Sequence, residues 1–237
     1  MLNSKIKTRL EVVRNEGKSD VTDIYLYGRI GNPIYEGEET ITVNDVKKKL
    51  KEVTTNKLKV HLNSDGGCLF SAIAINNLFK SHKADIEMVI DSVAASGGAI
   101  IAMAGNKITM YSNSMLFIHP AHTLTYADAK GHRNAADQLD KMDKSLKENY
   151  KARFTGTDKE LESLIQEGTW LTAEEAKEFG FCDEIIENDN RTNNASNSLI
   201  KNLTNNRKQS KVVADLMKKY SNKGNKQANN NLFKNFK

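Results

Sequence analysis

The chain has 237 residues, 38% of them hydrophobic, and a formal net charge of +5. That length holds one substantial domain with a full core, and no apolar run is long enough to suggest a membrane span or a leader peptide. Two distant cysteines, Cys68 and Cys182, exclude a disulfide framework and show no metal-ligand spacing, so a reduced, cytoplasmic setting without metal or cofactor is expected.

Residues 1–22 are mostly polar and read as a weakly ordered lead-in. The run 23–30, Asp-Ile-Tyr-Leu-Tyr-Gly-Arg-Ile, is rich in aromatic and β-branched residues and predicts a strand. Residues 44–53 predict an amphipathic helix, and the alternation over 57–62 a second strand. That strand runs into the turn cluster Asn63-Ser-Asp-Gly-Gly67, followed by a helix over about 69–80 and an apolar strand over 85–90. The segment Asp91-Ser-Val-Ala-Ala-Ser96-Gly97-Gly98-Ala99 then leads into a second apolar helix. Short strands are expected at 107–111 and 115–119, a long polar helix over 127–153, and a shorter one over 158–166. Thr172 and Glu175 have capping-box spacing, and Gly180 is placed to end that last helix. Strands alternating with helices imply an α/β fold with a mainly parallel sheet.

From about residue 188 the pattern dissolves into Asn, Lys and Ser. Residues 188–237 hold 11 Lys/Arg against 2 Asp/Glu, which leaves the body mildly acidic. Such a tail reads as a solvated, disordered extension with one short amphipathic helix at 211–220. Its charge leaves contact with nucleic acid or an acidic protein surface open.

Ser96 stands out because it lies among small residues at a strand-to-helix turn. There a serine either caps the helix or presents its hydroxyl as a nucleophile beside free backbone N–H groups, and the residue alone leaves both open. A nucleophile needs a base. Of the five histidines, His119 ends an apolar strand and is followed by Pro120, whereas His61 is mid-strand, His82 ends a helix, and His122 and His132 lie in polar stretches. Strand ends of parallel sheets are where active sites collect. The paired glycines Gly66 and Gly67 allow backbone to approach a substrate and to present N–H groups, or they form an ordinary turn.

Asn63-Ser-Asp-Gly-Gly67, Ala-Ala-Ser96-Gly97 and Met115-Leu-Phe-Ile-His119-Pro, in this order and spacing, resemble three sequential blocks of the Clp protease proteolytic subunit (ClpP-like) family. The block Trp170-Leu-Thr-Ala-Glu-Glu-Ala-Lys-Glu-Phe-Gly180-Phe-Cys-Asp183 is similar to the family's C-terminal helix and strand. Residues 102–109 and 150–156 look more like its phage head-maturation (prohead) branch. The resemblance covers about residues 23–187, as a single peptidase domain, and implies a ClpP/crotonase-like β-α-β spiral. It also implies a serine endopeptidase with Ser96 as nucleophile, His119 as base, and Gly66 and Gly97 as oxyanion-hole donors. Two residues depart from the family pattern. Asp65 stands in place of the usual proline, and Gly168 stands at the acid's position, two residues before Trp170. Glu167 is the adjacent carboxylate and is taken as the third catalytic residue, with Trp170 pinning its loop against the core.

The resemblance further implies polypeptide substrates, among them capsid or scaffold proteins. It implies a homo-oligomer of heptameric rings, stacked in pairs through a long helix carrying residues 126–142. A phage-encoded member would act in the host cytoplasm or procapsid. A Clp-type ATPase partner is compatible with the family but is not indicated by any docking motif. Two other readings compete: a crotonase-like acyl-CoA enzyme, which needs no Ser–His pair, and a non-catalytic assembly protein with a degenerate protease body and a working basic tail.

Overall fold

The computed structural model describes residues 6–14 and 20–187. The chain runs β1 (Arg9–Arg14), β2 (Val21–Tyr27), α1 (Val43–Glu52), β3 (Lys57–Ser64), α2 (Leu69–Lys80), β4 (Asp85–Ala95) and α3 (Gly97–Ala102). It continues through β5 (Lys107–Tyr111), β6 (Met115–Ile118), α4 (Ala129–Lys151), α5 (Asp158–Gln166), β7 (Thr169–Thr172), α6 (Ala173–Glu178) and β8 (Glu184–Ile186). The sheet order is β1-β2-β3-β4-β5-β8, with β6 attached to β4 and β7 to β6. All pairings are parallel except β1 with β2 and β6 with β7.

Alternation in β2 and β3 explains the layering. Ile24, Leu26, Leu58, Val60 and Leu62 are buried and point to one face, where Leu50 of α1 and Ile75 and Phe79 of α2 join the same core. The residues between them point outward and pair across the strands. On that outer face His61 Nδ1 lies 3.0 Å from Asp91, and its ring stacks on Tyr25 at 4.6 Å. His61 is thereby a surface residue of the sheet, held by its neighbours.

Strand β4 is 11 residues long and serves two sets of partners. Its first half lies between β3 and β5; then, after a register shift at Leu62/Ser64, Val93–Ala95 pair with Met115–Phe117 of β6. This change of neighbour sets up the site.

The structure corrects several sequence expectations. Residues 9–14 are not part of a loose lead-in but a strand paired with Thr22–Tyr27 of β2. Leu10 and Val12 pack on the core, one side of an alternation too short to read against its polar surroundings. The strand expected over 23–30 ends at Tyr27, with Ile30 bridging Ile41 and Gly67 separately. The long helix begins at Ala129, where the Asp128 side chain accepts from Gly131 N–H; Tyr126 therefore precedes the helix. The Thr172–Glu175 capping box forms as expected. The basic tail at 188–237 and its helix at 211–220 lie outside the described residues. Among the described residues no helix is long and apolar enough to cross a membrane.

Candidate active site

Strands β3, β4 and β6 run parallel and end at the same level. Ser64 is opposite Ala94, and Ala95 is opposite Phe117. One step beyond these pairs the chain delivers Gly66 and Gly67, Ser96, and His119 to a common edge. Antiparallel β7 adds a fourth element, because Ile118 faces Thr169 and so Gly168 comes beside His119. Sheet register alone thus gathers residues that are up to about a hundred positions apart in sequence.

Ser96 occupies φ 55°, ψ −119°, the one non-glycine residue with positive φ among the described residues. Such a conformation costs of order 1–3 kcal/mol and persists only when its surroundings hold it. Here Ser96 N–H donates to Phe117 O at 2.9 Å, which ties the turn to β6. The capping reading of this serine fails, since its side chain makes no cap hydrogen bond to α3. By contrast Thr42, Asp128, Thr157 and Thr172 all cap their helices through side-chain oxygens. The Ser96 hydroxyl is instead part of the wall of a cleft of about 420 Å³ that His119 also lines.

The glycine loop packs directly on this turn. A Cβ on Gly66 would fall 2.6 Å from Ser96 Cβ and 2.7 Å from Ala95 O, and Gly66 has φ +98°, so only glycine fits. The expectation that Gly66 supplies an oxyanion donor needs correction. Its N–H donates to Ser64 Oγ at 3.1 Å, and Ser64 Oγ donates in turn to Gly28 O. The next residue, Gly67, brings its backbone nitrogen 3.5 Å from where a Cβ of Gly97 would stand. The two consecutive glycines were the sequence signal for it, but not for which of them faces the site.

His119 is half-buried and its Nδ1 lies 2.6 Å from Pro120 O. A carbonyl only accepts, so Nδ1 carries the hydrogen and Nε2 is left as the acceptor, the tautomer a general base requires. The ring belongs to a column in which Trp170, Phe117, His119 and His122 stack successively at 4.4, 4.9 and 4.8 Å. Burial holds the imidazole below its ordinary value. The Pro120 hydrogen bond opposes this, nearby His122 adds to it, and the Asp143 carboxylate on α4 opposes it. Burial thus favours the neutral ring over the imidazolium.

Glu167 is the C-cap of α5 and exposed. The acceptor at His119 Nδ1 is Pro120 O, and the charges that act on the ring are those of His122 and Asp143. Trp170 departs from expectation: it alternates outward on β7, 42% exposed, and steadies the loop by stacking on Phe117 rather than by entering the core. Asp143 gave no sequence signal, being one acid among many on a polar helix.

A family model of the Clp protease matches residues 35–189. The chain belongs to the Clp protease family. A solved structure of a ClpP1 mutant from Listeria monocytogenes shares the fold, with a TM-score of 0.60 at 22% identity over 70% of this chain and 92% of that one. Clp proteases are serine peptidases that generally form oligomeric rings and act on polypeptides. Against that background, Gly168 (φ +63°) is a position with room: a Cβ there would meet His119 Cβ at an unstrained 3.7 Å.

Proposed function

We propose that this protein is a serine endopeptidase in which Ser96 is the nucleophile and His119 the general base. One observation carries the reading. Ser96 is held at positive φ with a hydroxyl that does not cap its helix, in the same cleft as an imidazole whose Nδ1 is engaged. His119 Nε2 takes the Ser96 proton as Oγ attacks the substrate carbonyl carbon. The oxygen of the tetrahedral intermediate accepts from Gly97 N–H and Gly67 N–H. Protonated His119 then gives its proton to the departing amine, and water, deprotonated by the same ring, releases the acyl group from Ser96.

The rest of the cleft is apolar on one side, where Leu139, Met142 and Leu146 of α4 face the site. Helix α4 buries only Leu146 and Tyr150. Its preceding loop leaves Leu124 and Tyr126 fully exposed, which supports a homo-oligomer of heptameric rings, stacked in pairs, with the site facing an enclosed chamber. The resemblance of residues 102–109 and 150–156 to head-maturation enzymes supports virion-assembly polypeptides as substrates, cut in the host cytoplasm or the procapsid.

Gly168 favours one competing reading, a non-catalytic assembly protein on the same fold. A fluorophosphonate probe separates the two. Covalent labelling at Ser96, lost together with peptide hydrolysis in a folded Ser96→Ala variant, is the expected result. A folded oligomer that neither labels nor hydrolyses peptides would refute the peptidase reading.

A further inference from the structure

The acid that a serine peptidase sets behind its histidine is missing at position 168, yet the His119 Nδ1–H is not without support. It donates to Pro120 O at 2.6 Å. The amide hydrogen on the other side of that same peptide group, Ala121 N–H, donates to Asp143 Oδ1, also at 2.6 Å. The three groups form one line: imidazole N–H to carbonyl, carbonyl to amide through the peptide bond, amide N–H to carboxylate. A carboxylate that accepts from an amide N–H polarises the amide and makes its carbonyl a stronger acceptor.

We propose that Asp143 is a positioning residue for His119, acting through the Pro120–Ala121 peptide group in place of a direct carboxylate contact. The proposal rests on the reading of His119 as the general base. Asp143 lies half-buried in the crevice between α4 and α5, with Asp140, Lys144, Lys147 and Glu162 around it. Lys147 pairs with Glu162 at 3.4 Å, so a cation in the crevice has its own partner while Asp143 accepts from the loop. The charged and titratable groups acting on His119 are His122 on its own loop and Asp143 on α4. The Asp143 charge favours the imidazolium that forms as Ser96 attacks, which is the electrostatic part of a triad acid's role.

The test uses the full-length chain labelled with ¹⁵N-histidine and three substitutions. Asp143→Asn keeps an oxygen that accepts from Ala121 N–H but removes the charge. Asp143→Ala removes both. Asp140→Asn, one turn earlier on the same helix, is the control. In Asp143→Asn the ring ¹⁵N shifts of His119 should show a smaller Nδ1–H population, and its titration should move to lower pH. With peptide substrate, kcat should fall about 10- to 100-fold with KM little changed, less than the ~10⁴ of a direct triad acid. Asp143→Ala should be worse, and Asp140→Asn close to wild type. Unchanged His119 tautomer and titration in folded Asp143→Asn would overturn the proposal whatever the activity. A tautomer change in a protein whose wild type neither labels at Ser96 nor hydrolyses peptides would uphold Asp143 and refute the peptidase reading instead.

Discussion

Placing a carboxylate at position 168 tests the logic of the site most directly. Gly168 has φ +63°, in the left-handed region, and a Cβ added there meets nothing nearer than His119 Cβ at 3.7 Å. The cost of Gly168→Ala is therefore conformational rather than steric. It should be about 1 kcal/mol, a fall of roughly 2–4 °C in Tm for a domain of this size. Aspartate tolerates this region better than alanine, so Gly168→Asp should cost no more. Its carboxylate would extend from a Cβ already in contact with His119 and come within hydrogen-bond range of the imidazole edge. In an Asp143→Asn background, Gly168→Asp should bring kcat back to within about threefold of wild type, because a direct carboxylate contact can supply up to ~10⁴. Gly168→Ala in that background should recover nothing. The assay is kcat and KM on a fluorogenic peptide, with Tm measured alongside. If the folded Gly168→Asp, Asp143→Asn double variant were no faster than Asp143→Asn alone, the reasoning that this site needs a carboxylate behind His119 would be refuted.

Two further outcomes are expected. His119→Ala should be about as damaging as Ser96→Ala, on the order of 10⁶ in kcat, and the double variant little worse than either, since the two act as one unit; additive losses by steady-state kinetics would dissociate them. The acid limb of kcat/KM should lie below 6.5, the ordinary imidazole value, because burial favours the neutral base. Activity is then lost as pH falls through the depressed folded value, and folding stability declines at higher pH, from the ordinary value of 6.5 down to that folded value, because the unfolded chain takes up the proton first. A pH–rate profile with its acid limb at or above the ordinary value would contradict this.

Much of the fold was legible in the sequence because period and punctuation act locally. The alternation in 57–62 and the Thr172–Glu175 spacing each specify their own conformation, and the structure has a strand, running on to Ser64, and a capped helix there. Strand β1 was not legible, since Leu10 and Val12 gain their meaning only from β2 alongside them. Helix α4 starts at Ala129 rather than at residue 127 because the Asp128 side chain caps it, and composition alone does not locate a cap among neighbouring polar residues.

The candidate site divides in the same way. By itself the sequence determined which side chains have the chemistry: a serine among small residues, a histidine at a strand end, and paired glycines in a turn. It also determined that position 168 has no carboxylate. Tertiary structure decided the rest. The register of β4 against β6 sets Ser96 beside the His119 strand, and the Ser64 hydrogen bond engages the Gly66 N–H. The Pro120 carbonyl occupies His119 Nδ1, and α4 carries Asp143 to the far side of that same peptide group. The physical reason is range. Propensities and caps act within a few residues, whereas hydrogen-bond commitments and charge contacts are made by groups that only sheet pairing and helix packing bring together.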